Sequence, residues 1–513
     1  MTDTDVLIAG AGPTGLALAL WLTRSGARVR IIDKAAEPGT TSRALVVHAR
    51  TLELYRQLGI ADAVLERGLR FDAINLWVKG RRAAHVSLGA IGAGASPFPY
   101  VVIFPQDEHE RLLIERLRAL NVDVERPCEL RDFDDRGDHV IAHVVHADGR
   151  DESCEAAFLA GCDGARSVVR EALAVGFPGG TYAHLFYVAD VDATGPAMNG
   201  ELHVALDEAD ILAVFPMKGE GRARLIGTIA AQSEHAQRSP QWDDVSPGVI
   251  ERFGLDIRQV NWFSTYHVHH RVVSHFRKRR VFLLGDAAHI HSPVGGQGMN
   301  TGIGDAMNLG WKLAAALASN LDERALDTYE PERIAFAQRL VATTDRAFQL
   351  VSSDGPIARF VRTRAVPRVL PALFELSGAR RFMFRTLSQT AIRYRDSALS
   401  SGSAGAIRAG DRLPWVDLGN GPDAHADNYA PLTTLDWQVH VYGEASSAVV
   451  DACRKRVLPL HAFAWRATMR ALGFARHAVY LVRPDGYVGF AGAANGAADL
   501  ERYLDEWKIA PRR

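Results

Sequence analysis

Asp5-Val6-Leu7-Ile8-Ala9-Gly10-Ala11-Gly12-Pro13-Thr14-Gly15 runs into an apolar stretch ending at Arg24, then Gly26, Val29-Arg30-Ile31-Ile32 and Asp33. Asp5 to Ala9 reads as a buried strand, Leu16 to Arg24 as a helix stopped by Gly26, and Val29 to Ile32 as a second strand. Each glycine falls where a βαβ turn around a dinucleotide needs one. Gly10 permits the tight turn, Gly12 lets main chain approach a pyrophosphate, and Gly15 lets helix and strand pack closely. Asp33 ends the second strand 18 residues after Gly15, about where a ribose-binding carboxylate belongs. Pro13, Thr14 and Lys34 fall in the same cofactor-facing set. GxGxxG alone is a weak signal; with strand, helix and acid in place it is specific and sets an α/β fold of Rossmann type.

A second stretch, Val281 to Leu313, has the same logic. Val281-Phe282-Leu283-Leu284 is a short apolar run suited to a central strand covered on both faces. Gly285 and Asp286 end it with backbone that can come close to a ligand and a carboxylate that can accept hydroxyl hydrogen bonds. Pro293 stiffens the loop that follows. Gly295, Gly296 and Gly298 leave main-chain N–H groups bare, and Met299 and Asn300 open a helix. A helix N-terminus of this kind stabilises negative charge.

Three further positions belong with these two. Arg43 sits in a loop before a helix at Thr51–Leu58, where a surface ion pair and a cofactor contact are equally open readings. Pro105-Gln106 leads from a strand into a helix that Asp107 is expected to cap. Asp163-Gly164 follows an apolar strand and precedes a helix, a second acidic strand end on the same sheet, although an Asp-Gly pair is commonly a simple turn.

Composition narrows the classes. Of 513 residues, 47% are hydrophobic and 23% charged, as in a globular protein of two to four domains, and the net charge of -1 gives no field for nucleic acid or acidic lipid. The run Arg277-Lys278-Arg279-Arg280 reads as a solvated approach to the strand behind it. Cys128, Cys154, Cys162 and Cys453 form no CxxC pair and suit a reducing cytoplasm. No export signal or membrane span is expected. His267, His269 and His270 lack an arranged acidic or cysteine partner, so no metal site is assigned. A G-x-S-x-G elbow is missing, which removes the hydrolase reading.

Periodicity divides the chain. An α/β domain takes residues 1–70, 105–175 and 277–395, the last part helical. Residues 71–104 and 176–276 alternate like antiparallel strands and are rich in aromatics, among them Phe215; they are read as an inserted substrate-binding sheet, with Phe215 and Pro293 as pocket candidates. Residues 396–408 read as a Ser/Gly/Ala linker. Residues 409–513 form a small α/β unit that looks thioredoxin-like and, lacking CxxC, is given no redox role.

Together, GxGxxG with Asp33, Asp163-Gly164, and Gly285-Asp286 with the Pro293–Asn300 loop resemble the class A flavoprotein monooxygenases, the FAD-dependent aromatic hydroxylases, over residues 1 to about 390. The appended domain resembles the phenol hydroxylase and aromatic polyketide hydroxylase branch. The resemblance implies that Gly10, Gly12 and Gly15 hold the FAD pyrophosphate and Asp33 the adenosine ribose, where the family usually has Glu. It implies Arg43 and Gln106 at the pyrophosphate or ribityl region, Asp286 at the ribityl hydroxyls, and Pro293, Gly296, Gly298, Met299 and Asn300 along the ring. Asp163-Gly164 matches a motif linked to both FAD and NAD(P)H. The implied reaction is reduction of non-covalent FAD by NADPH or NADH, O2 addition to a flavin C4a-hydroperoxide, and hydroxylation of a phenolic or polycyclic substrate. No side-chain catalyst is named. The implied partners are that aromatic substrate and, for the C-terminal domain, a second copy in a homodimer. A Baeyer–Villiger or epoxidising enzyme of the same fold remains an alternative, as does a non-catalytic flavin-binding interaction protein.

Overall fold

Strand Thr4–Ala9 lies in the middle of an eight-stranded mixed sheet. It pairs in parallel with Asp151–Gly161 on one side and Val29–Ile32 on the other; Val281–Leu283 and Val124–Glu125 extend the sheet outward in the same direction. Helix Pro13–Arg24 packs against helix Gly298–Leu317, with Trp21 on Gly310. Leu7 and Ile8 are fully buried, so cutting either to alanine costs about 2–5 kcal/mol. The computed structural model describes residues 3–39, 44–89, 91–206, 212–229, 240–292, 295–352, 355–419 and 427–511.

Register sets what this sheet can do. Ala9 stands opposite Gly161 and Ile32, and Gly161 opposite Leu283. Four strands therefore end level, and the residues just past their ends are Gly10, Asp33, Cys162-Asp163 and Leu284-Gly285-Asp286. Motifs spread over most of the chain meet at one carboxyl edge, where open α/β sheets bind ligands.

A second eight-stranded sheet is mostly antiparallel. Its central strands are Gly179–Thr194, Asp256–Val272, Arg222–Ile229 and Leu212–Pro216, and the hairpin Ala73–Val78 and Arg81–Ser87 forms one edge. At the other edge His289–Ile290 pairs with Arg271 and Val272, six residues after the parallel strand ends. Alternation gives the sheet two distinct faces. Tyr187, Leu212, Val214 and Leu225 form a core of their own. Ile74, Val204, Phe215 and Ile226 point the other way and pack against the core of the parallel-sheet domain.

The C-terminal sheet runs in the order Leu460–Phe463, Gln438–Tyr442, Val479–Val482, Val488–Gly492, Ser401–Ala404 and Ile407–Arg408. The first pair is parallel and the next two are antiparallel. Helices Ser447–Arg456 and Ala497–Glu506 complete it. Among the described residues no helix is long and apolar enough to cross a membrane. All four cysteines are buried and unpaired.

Three expectations are corrected. Residues 396–408 are not a linker throughout: Ser401–Ala404 is a strand parallel to Val488–Gly492. The small residues there serve close backbone approach, since a Cβ on Gly402 would lie 2.3 Å from the carbonyl oxygen of Ala491. Residues 101–104 do not join the substrate sheet. Val102–Ile103 instead pairs with Val46–Val47 and Leu69–Arg70 in a three-stranded sheet, a partner choice that a two-residue apolar strand cannot encode. Finally, the helix expected to be capped by Asp107 starts at Gln106 with Pro105 as N-cap, and Asp107 bonds Arg111 one turn on.

Candidate functional site

The first glycine turn is built by close approach. Gly10 has φ +103, and a Cβ there would sit 2.3 Å from the carbonyl oxygen of Cys162; one on Gly15 would sit 2.0 Å from the carbonyl oxygen of Gly10. A Cβ on Gly12 would meet nothing within 4 Å, so this turn is open on one side only. Helix Pro13–Arg24 starts at Gly12 with no side-chain cap, leaving its first N–H groups aimed at that space. Thr14 faces away from it, wedged 2.7 Å from a Cβ position on Gly285 and 2.2 Å from one on Gly302.

The strand-end carboxylates differ in what they hold. Asp33 accepts the N–H of Ala11 at 2.7 Å and of Ala35 at 2.8 Å, and Arg126 lies 3.2 Å away. It thus braces the glycine turn and keeps acceptor capacity toward the cleft. Lys34 beside it is exposed. Asp163 accepts Val169 N–H at 3.1 Å from the first turn of the next helix, whose N-cap is Ser167, while among the described residues its buried Oδ1 has no partner. Burial raises its pKa against the hydrogen bonds from Ser167 and Val169. Asp286 is exposed at the sheet edge, just after Gly285 at φ +57.

The second glycine loop ends in helix Gly298–Leu317, which also has no side-chain cap at its N-terminus. A Cβ on Gly298 would be in ordinary contact with the His291 ring, 3.7 Å from Nε2, so a small side chain there meets no clash. Gly296 packs on Val46, whose Cβ would be 2.7 Å from an added one. The side chain of Asn300 is used by the protein itself. Its Oδ1 accepts His48 N–H at 3.0 Å and Thr51 Oγ1 at 2.7 Å, and its Nδ2 donates to the carbonyls of Val46 and Gly296. Gln106 donates to Glu110 at 2.9 Å and its N–H to the carbonyl of Ala44. Arg43 and Pro293 lie outside the described residues. Phe215, from the second sheet, packs against the core of the parallel-sheet domain; opposite it in the next strand Arg224 makes a bidentate pair with Asp190 at 2.6 and 2.7 Å.

Several site residues carry no motif. His48 donates from Nε2 to the carbonyl of Gly295 at 2.9 Å, which leaves Nδ1 a buried acceptor without a partner among the described residues. His291 donates from Nδ1 to the carbonyl of Ser292, leaving Nε2 in the same condition. Burial holds both imidazoles neutral, with pKa values lowered to about 4. Asp305, within the apolar helix, accepts the N–H of Gly285 at 3.0 Å, His289 Nε2 at 2.7 Å and Arg333 Nε at 2.6 Å. A carboxylate amid Ile303, Ala306 and Leu309 was the one available signal, since it needs buried donors.

FAD fits this edge by the structure's own features: a Cβ on Gly12 would meet nothing within 4 Å, two helix starts, at Gly12 and Gln297, have no side-chain cap, and Asp286 offers an exposed carboxylate just past a strand end. When bound, the flavin supplies the electron and oxygen chemistry. The chain's residues bind and orient it, exclude water, and offer neutral imidazoles rather than charged ones around the second glycine loop.

Residues 3–344 match the family described as FAD binding domain. The chain belongs to the FAD-dependent aromatic hydroxylases and is a monooxygenase that uses NAD(P)H and O2. It is 33% identical to the 6-methylpretetramide 4-monooxygenase of Streptomyces rimosus over 99% of this chain and 94% of that one. It is 34% identical to the rifampicin monooxygenase of Streptomyces venezuelae over 95% of each. Among solved structures, anhydrotetracycline hydroxylase from Streptomyces rimosus superposes with a TM-score of 0.78 at 29% identity, covering 99% of this chain and all of that one.

Proposed function

We propose that the substrate is a polycyclic phenolic compound of polyketide type, hydroxylated in a pocket between the second glycine loop and the Phe215 face of the antiparallel sheet. The observation that carries this reading is the division of that sheet. One face is closed into a core of its own, while the other presents Ile74, Val204, Phe215 and Ile226 toward the flavin domain. An apolar face of this kind beside the Arg224–Asp190 pair suits a flat multi-ring ligand with polar substituents better than a small phenol. Relatives named for 6-methylpretetramide and for rifampicin support this reading.

Within that reading Gly10, Gly12 and Gly15 take the FAD pyrophosphate, Asp33 the ribose and Asp286 the ribityl chain. Backbone of Gly296, Gly298 and Met299 lines the ring, with Arg43, Gln106, Pro293 and Asp163-Gly164 as further contacts. The C-terminal unit is read as thioredoxin-like: a parallel strand–helix–strand pair, then an antiparallel hairpin and a helix, in the order Leu460–Phe463, Gln438–Tyr442, Val479–Val482, Val488–Gly492. Four buried free thiols support a cytoplasmic setting.

The test is turnover under 18O2 with NADPH and a panel of hydroxynaphthalenes and hydroxyanthraquinones, read by mass spectrometry. A phenol that accelerates NADPH oxidation and gains one labelled oxygen supports the proposal. Labelled ester from a ketone, with no phenol hydroxylated, would move the enzyme to Baeyer–Villiger chemistry.

A further inference from the structure

Two consecutive residues of helix Tyr329–Ser352 hold opposite parts of the molecule. Arg333 faces the cofactor edge. Its Nε donates to Asp305 at 2.6 Å, Nη1 to the Tyr394 hydroxyl at 2.9 Å and Nη2 to the carbonyl of Thr301 at 3.1 Å. Asp305 in turn accepts Gly285 N–H and His289. One guanidinium therefore bears on both ends of the 285–301 segment, directly at Thr301 and through Asp305 at Gly285.

Glu332 faces the other way. It accepts Arg483 from the C-terminal sheet domain at 2.8 and 3.0 Å, Lys312 at 2.9 Å and Asn308 at 2.6 Å from helix Gly298–Leu317, and Ser397 at 2.6 Å. Arg483 is shared with Asp485 at 3.0 and 2.7 Å, and the carbonyl of Asp485 accepts Arg50. Asp305, Lys312, Glu332, Arg333 and Arg483 are each at most 1% exposed. A cavity bordered by Arg50, Asn300, Asn308, Arg333, Tyr394 and Asp485 adjoins both halves of the cluster. Burial opposes ionisation of Asp305 and of Glu332, yet Arg333 and His289 around the first, and Arg483 and Lys312 around the second, hold both below the usual carboxylate range.

A buried charge stripped of one partner is not simply weaker; it re-aims or drags its neighbours. Here the neighbours are the turn before Asp286 and the first turn of the helix behind the second glycine loop. We propose that Arg333, Asp305 and Glu332 are positioning residues for the cofactor, and that the C-terminal domain, through Arg483, sets how tightly FAD is retained. The inference rests on reading Gly285–Asn300 as the flavin segment.

The test is the FAD dissociation constant of the full-length apoprotein, followed by flavin fluorescence well below the unfolding temperature, with circular dichroism as the check on folding. Arg483→Lys keeps the charge but loses the fork that spans Glu332 and Asp485. It is expected to weaken FAD binding about tenfold, within the range of coupling between linked sites, while Lys455→Gln on the exposed helix of the same domain leaves it unchanged. Arg333→Lys should weaken binding similarly, and the double variant by less than the product of the two. A purely structural role would lower the melting temperature and leave the FAD affinity of the folded protein unchanged, and that result would overturn the proposal. Asp286→Ala separates the premises: if it too binds FAD like the wild type, the flavin-segment reading fails first. Where Arg483→Lys does not fold, Asp485→Asn loosens Arg483 without removing a cation from Glu332, and carries the same expectation and the same overturning outcome.

Discussion

The two eight-stranded sheets meet at His289–Ile290 but present their sites by different chemistry. The parallel sheet offers main chain: a turn at Gly10–Gly15 where a Cβ on Gly10 or Gly15 would lie 2.3 or 2.0 Å from a backbone carbonyl oxygen, and helix starts without a side-chain cap. The antiparallel sheet offers side chains on one face, Phe215 and Ile226 among them, each replaceable by another of similar volume. A cofactor common to a whole family can be held by backbone, which nearly any sequence supplies once glycine opens the way. A substrate that differs between relatives must be read by side chains.

Substitutions should separate the two. Gly15→Ala is expected to do most damage, because its Cβ would strike the carbonyl of Gly10 at 2.0 Å with no flexible atom to yield. A loss of more than about 4 kcal/mol, seen as insoluble or FAD-free protein, is the expected outcome; a stable yellow variant would deny the close approach. Acid comes next. Buried His48 and His291 hold fewer protons folded than unfolded between pH 6.5 and about 4. The stability they permit is therefore complete above pH 6.5 and falls as pH drops through that window, by roughly 3 kcal/mol for each at the acid end. Urea midpoints measured from pH 7 to 4.5 should decline, and less steeply in His48→Gln.

Gly298→Val sharpens the contrast with Gly15. Its Cβ meets no protein atom closer than 3.7 Å, so the fold should survive within about 1 kcal/mol. The side chain would cover the bare main chain of the second glycine loop, and FAD affinity should drop about a hundredfold or more, since the close approach needs a bare backbone. Phe215→Ala has the smallest expected effect. FAD content should stay the same, while KM for the best phenol rises about tenfold from lost apolar contact.

Legibility followed the same division. Gly10–Gly15, Asp33, Asp163 and Gly285-Asp286 could be found in the sequence because backbone approach fixes residue type at fixed spacing, and the βαβ order that places them on one sheet follows from the same turns. Asp305, Arg333, Glu332 and Arg483 could not be paired in advance. A buried ion pair has no spacing rule when its members lie 28 and 151 residues apart. His48 and His291 carry no pattern beyond single imidazoles near glycine. Strand Ser401–Ala404 was hidden because small residues serve both a flexible tether and a tight backbone contact. For Phe215 the period-two pattern defines two faces but does not say which one the flavin domain covers.

The most direct measurement is an equilibrium titration of apoprotein with FAD, comparing wild type with Asp286→Ala and Phe215→Ala under identical conditions. The expected result is a yellow wild type holding a single FAD, a Phe215→Ala variant that binds it equally well, and an Asp286→Ala variant that binds it at least about tenfold more weakly, as loss of a charged hydrogen-bond acceptor predicts. Equal FAD binding by all three, or a loss confined to Phe215→Ala, would contradict the assignment of the cofactor to the parallel-sheet edge.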